Sequence, residues 1–165
     1  MFPMNTNWIK EMKEKDGRAE SRENARLQKV VEDSMVVASG ENAFFSQLVA
    51  AFESDAARMS EIGLRGHVTK QGSPDCYTTC QIGVEFNGLN PNLTNTTIHH
   101  DPGSQELRCL TLESGHQQIH LPIVRHPRGG VAVAYGDRVL TAREFADVTM
   151  KRMVNKIKPS RGTVA

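Results

Sequence analysis

The sequence predicts an α+β fold: a long N-terminal helix, an antiparallel sheet of five or six mostly sequential strands, and a C-terminal helix on the same sheet face. Three observations carry this. Residues up to Ile62 are nearly free of Gly and Pro, whereas residues 63–140 hold ten of the 13 glycines and five of the seven prolines. These residues punctuate strands and turns but are unfavourable inside helices. The residues from Cys76 to Phe86 alternate apolar and polar, as a half-buried strand does. Finally, Phe145, Thr149, Met153 and Ile157 recur every four residues before Pro159, which marks a closing helix. Thr149 is the weak member of that stripe.

Residues 5–16 read as a short helix capped by Asn5 or Thr6. Gly17 and the dense mixed charge around it make residues 1–20 a mobile or short helical arm, ahead of one domain over 21–158 and a flexible tail over 159–165. Helical spacing is strongest from Ser21 to Ile62. Leu27, Val31, Met35 and Ala38 form one stripe, and Phe45, Leu48, Val49, Phe52, Ala56, Met59 and Ile62 continue it nearly in phase. Ser39-Gly40 interrupts the pattern, which allows a helical hairpin or one long helix kinked near Gly40. The conserved phase across the interruption favours the long helix. Such a helix is about 60 Å long at 1.5 Å per residue, more than a small sheet can cover. Its surplus has to find a partner, and a homodimer or higher homo-oligomer is the expected one.

Strands are expected over Cys76–Phe86, Thr94–His100, Leu107–Leu112, Gln117–Val124, Val131–Tyr135 and Arg138–Leu140. Turns fall at 87–92, Asp101-Pro102-Gly103, Ser114-Gly115, 127–130 and Gly136-Asp137. Pro122 removes a backbone donor and places its strand at an edge or a bulge. Thr141-Ala142-Arg143-Glu144 has the spacing of a capping box. Phe45, Phe52, Ile82, Val84, Phe86, Ile119, Leu121, Phe145 and Met153 are the expected core.

Composition narrows the function classes. Net charge is +1, distributed as −3 over residues 1–62, −1 over 63–147 and +5 over 148–165. Three cysteines do not make a disulfide framework. The first residues lack the basic and apolar regions of a signal peptide, and no apolar run reaches the ~20 residues that span a bilayer. A cytoplasmic protein without membrane contact and without a cofactor is expected.

Candidate chemistry is sparse. Cys76, Cys80, Cys109, His116 and His120 suggest zinc, but Cys76-x3-Cys80 on a strand lacks the tight Cys-x2-Cys knuckle, and the alternation puts Cys76 and Cys80 on the core face opposite His120. Core cysteines are the plainer reading. His67, Tyr77, Gln81, Glu85, His99 and His120 could share the polar sheet face, with His100 nearby, and form a small-ligand or general-base site. His126-Pro127-Arg128-Gly129-Gly130 resembles an anion-binding loop only loosely, because it lacks the spacing of a phosphate loop. Lys151, Arg152, Lys156, Lys158 and Arg161 could contact nucleic acid, but no aromatic residues are interleaved for base stacking, and basic residues at a helix C-terminus also offset its dipole. The leading expectation is a non-enzymatic interaction or assembly protein, acting through the long helix or a sheet edge. A ligand-binding protein or enzyme using the histidine-bearing face is the alternative, and weak nucleic-acid binding by the basic C-terminal segment is the third.

Overall fold

A computed structural model describes residues 7–86, 93–111 and 117–157. Helix α1 covers Asn7–Arg58 and runs without interruption through Gly17 and Gly40, so residues 7–20 belong to it and no turn ends it at Ser39-Gly40. A 3-10 turn, Met59–Ile62, follows, and Gly63 closes the helical part of the chain. Gly63 sits at φ 75°, and its amide points back to the Met59 and Ser60 carbonyls. Glycine reaches this left-handed conformation without steric penalty, which is why the change of composition falls here.

Seven strands follow: β1 (Leu64–Ser73), β2 (Cys76–Phe86), β3 (Leu93–His99), β4 (Glu106–Thr111), β5 (Gln118–Arg125), β6 (Val131–Tyr135) and β7 (Arg138–Leu140). They form one antiparallel sheet in the order β1-β2-β3-β4-β5-β6-β7, and helix α2 (Ala142–Ile157) closes the fold. The count is seven rather than five or six because of β1. Only Leu64 is buried in that edge strand, and polar residues and two glycines erase the alternation that would mark it. Pro122 does not lie on an edge strand either. β5 pairs with β4 up to Pro122 and with β6 from Ile123 onward, so the missing amide falls where the strand exchanges partners. The expected turns at 87–92 and 114–115 lie outside the described residues.

The chain divides into two units, one ending at Met35 and the other starting at Val36. In the second, Phe44, Phe45, Leu48, Val49 and Phe52 of α1 meet Cys80, Ile82, Val84, Ile98, Leu107, Leu121, Ile123 and Val133 of the sheet, and Phe145, Met150 and Met153 of α2 complete the core. Thr149 is buried with them. Arg143 ties the two helices together on this face through an ion pair with Asp55 and a bond to the Ala51 carbonyl. One expected core position differs: Ile119 is 45% exposed, and the Phe86 side chain lies outside the described residues. Ile62, the last member of the helical stripe, is 41% exposed.

Two glycines show how α1 lies on the sheet. A Cβ on Gly40 would come within 2.6 Å of Val131 on β6, and one on Gly66 of β1 would come within 2.7 Å of the Ala56 backbone. The helix between those contacts is about 24 Å long, and β1 and β6 are also about 24 Å apart at 4.8 Å per strand. α1 therefore crosses the strands rather than following them. Gly66→Ala should cost about 1–3 kcal/mol by overpacking, although Ala for Gly in a strand ordinarily helps. Ala56→Gly should not rescue it, because the clash is with main-chain atoms. Urea unfolding of the two variants checks this, and a neutral Gly66→Ala would contradict the close approach.

Candidate functional site

Register places most of the anticipated polar residues on the sheet face turned away from both helices. His67 on β1 reaches Glu85 on β2, Nε2 to Oε1, at 3.0 Å, and Arg65 lies 3.6 Å from the same oxygen. Gln81 is exposed between Thr69 and Thr97 of the neighbouring strands. His99 shares a 3.2 Å hydrogen bond with Thr79, Nδ1 to Oγ1. His120 on β5 faces Glu106 on β4 at 3.2 Å. Each histidine thus has a neighbour of its own. β1 and β5 are about 19 Å apart at 4.8 Å per strand, so His67 and His120 cannot address one small molecule together. His67 and Glu85 form the one close pair among the six candidates.

Tyr77 is not on this face. Gln71 pairs with Thr79 and Gly72 with Tyr77, which leaves Thr78 as an extra residue in β2. A bulge of this kind shifts the alternation by one residue. Tyr77 therefore turns to the side of Cys80, where it is buried in the core with Lys70 Nζ 5.2 Å from its ring centre. Lys70 in turn donates to Glu53 of α1 at 2.8 Å. The bulge also separates the cysteines: Cys80 is fully buried, and Cys76 is only partly so.

Burial pushes the Cys80 and Cys109 thiols up to about 12, so both are protonated at neutral pH. All three cysteines are free, and among the described residues no three or more His, Cys, Asp or Glu side chains are placed to hold a metal ion. At pH 8 a thiol reagent should modify one of the three thiols quickly, at Cys76, and all three only in denaturant. Rapid modification of Cys80 or Cys109 in the folded protein would contradict the burial assigned to them.

A buried polar pair escaped sequence reading. Glu41 of α1 is 1% exposed and His100, just after β3, is 0% exposed. His100 Nε2 lies 2.9 Å from Glu41 Oε1, and the Gly103 amide donates to the same oxygen. Glu41 Oε2 and His100 Nδ1 are buried without a partner, and Phe45 packs on the imidazole with ring centres 5.4 Å apart. The signal was a carboxylate standing in the apolar stripe between Val37 and Phe44. No reactant can reach this pair from solvent, and what it does is bind α1 to the turn between β3 and β4.

The unit ending at Met35 has a different character. Of its described residues only Asp33 is even partly buried, yet Trp8, Ile9, Met12, Leu27, Val30, Val31 and Met35 are large apolar side chains. The stripe from Leu27 to Met35 is thus exposed, whereas its continuation from Val37 to Phe52 is buried. Arg26 pairs with Glu23 at 2.6 Å along the helix surface, an exposed contact of small energetic weight.

Among the cavities lined by described residues of the sheet unit, two stand out, and none of the six polar candidates lines either. One of about 20 Å³, the size of a water molecule, lies between the sheet and α2 beside Cys109, Thr149 and Arg152. Arg152, read above as part of a basic tail, is half-buried there, whereas Lys151 and Lys156 are exposed and residues 158–165 lie outside the described residues. The other, about 520 Å³, is an open cleft between the loop after β5 and the start of α2. No helix among the described residues is long and apolar enough to cross a membrane. The chain matches no protein-family model, no curated protein and no solved structure.

Proposed function

We propose that the protein is a non-enzymatic assembly protein whose N-terminal helix associates with a second copy of the same chain. The observation that carries this reading is the exposure of Leu27, Val30, Val31 and Met35 on adjoining helical turns, from 47% at Leu27 to 66% at Met35. Apolar side chains contiguous on one surface mark an interaction site, whereas single exposed ones are ordinary. An isolated helix of this polarity is only marginally stable in water and gains from covering its apolar side. Residues 7–35 carry seven Lys or Arg and seven Asp or Glu. That balance sets up no net repulsion between two copies and gives a strongly charged partner no special attraction.

Light scattering of the full chain at tens of micromolar should give a dimer or larger mass. Val31→Asp together with Met35→Lys should reduce the mass to that of a monomer while the sheet unit keeps its thermal transition. A monomeric parent protein at that concentration would overturn self-association.

A further inference from the structure

The open cleft at the β5–β6 loop has the composition of a small-molecule site. Its volume of about 520 Å³ lies within the ~300–1,000 Å³ typical of such sites. Three structural elements build it. The loop His126–Gly130 contributes His126, Pro127 and Arg128, the strands contribute Val131 and Val139, and the start of α2 contributes Thr141 and Glu144.

The loop backbone and the His126 ring are held in place before any ligand arrives. The His126 amide donates to the Gly130 carbonyl and the Gly129 amide to the His126 carbonyl, both at 2.9 Å. Gly129 and Gly130 supply the positive φ that this tight loop needs. The Arg128 amide donates to His126 Nδ1 at 3.0 Å. With Nδ1 an acceptor, the neutral imidazole carries its proton on Nε2, which becomes a donor. The Arg128 guanidinium makes no hydrogen bond or ion pair among the described residues.

On the opposite wall Glu144 is fixed as an anion. Its Oε1 accepts from the Thr141 amide at 3.1 Å, and its own amide donates to Thr141 Oγ1 at 3.2 Å. The Thr141 amide and hydroxyl, helped by His126 and Arg138, hold its carboxyl below the usual range. A depressed folded-state value means that this contribution to stability is present at neutral pH and is lost as pH falls through the folded-state value.

Among the described residues that line it, the cleft therefore presents the Arg128 guanidinium, a fixed carboxylate at Glu144 and two valines, Val131 and Val139. A simple anion would meet Glu144, and a simple cation would meet Arg128. We propose that the cleft binds a zwitterionic α-amino acid with a branched apolar side chain. Its carboxylate lies against Arg128 and the His126 Nε2–H, its ammonium against Glu144, and its aliphatic group against Val131 and Val139. This site is independent of the helix-mediated assembly proposed above.

Calorimetric titration of the full-length protein with L-leucine, N-acetyl-leucine and leucine amide tests the assignment. L-leucine should bind, and each analogue, lacking one charge, should bind at least about tenfold more weakly, which is the scale of a lost charge-assisted bond. Arg128→Gln and Glu144→Gln should each weaken L-leucine by about tenfold or more. Glutamine can still serve the helix cap, so Glu144→Gln should keep its thermal transition. The assignment is overturned if L-leucine gives no binding at 10 mM, if N-acetyl-leucine or leucine amide binds as well as leucine, or if both variants retain the parent affinity.

Discussion

Replacing Glu41 by Ala should reduce the unfolding free energy by about 3–5 kcal/mol, the scale seen when one member of a buried pair is removed. The variant leaves His100 Nε2 and the Gly103 amide without the oxygen they share, in a site with no solvent to replace it. Glu41→Gln keeps an acceptor and should lose less, about 1–2 kcal/mol. Glu41→Leu combined with His100→Leu removes both polar partners and should recover much of the loss, because apolar replacement of a whole buried pair is often near neutral. Urea midpoints of the four proteins would decide it. A Glu41→Ala variant within about 1 kcal/mol of the parent would mean that the Glu41–His100 pair contributes little to holding α1.

Phe52→Ala should cost about 3–5 kcal/mol as well, by a different mechanism. The Phe52 ring is fully buried, and truncation removes transfer free energy and leaves a cavity that the surrounding sheet cannot fill. Val31→Ala is the matching control on the same helix, since Val31 is 57% exposed. Within one chain its effect should stay within about 0.5 kcal/mol. In the assembled protein its effect should grow with protein concentration, because association stabilises by mass action. A Phe52→Ala loss well below 3 kcal/mol would remove the argument that places this stripe on the sheet.

The fold class, both helices and the sequential order of strands were legible because each rests on a period in the chain. The stripe Phe45–Phe52 and the alternation Cys80–Val84 put apolar side chains on one face, and burial follows that face. What escaped depended on pairing rather than period. β1 is polar because it lies at the edge, the Thr78 bulge is visible only once Gln71 is paired, and the Pro122 exchange of partners needs two neighbours to be known. The polar sheet face was legible as a face, but the distances among His67, His99 and His120 follow from register. Glu41–His100 was hidden for the same reason, since neither residue names the other across 59 positions. The cleft at His126–Glu144 was visible as two unrelated motifs, a loop and a helix cap, which only the fold brings together.

The strictly sequential strand order has a kinetic consequence. Every strand pairs with its neighbour in the chain, so the sheet can grow by one short loop closure after another, and such local closures are fast. Seating α1 is another matter, because the Glu41–His100 contact closes a much longer stretch and has to form in a site already shielded from water. The expected order of events is a sheet that zips first and a helix that locks last, so that substitutions at Glu41 should accelerate unfolding far more than they slow folding.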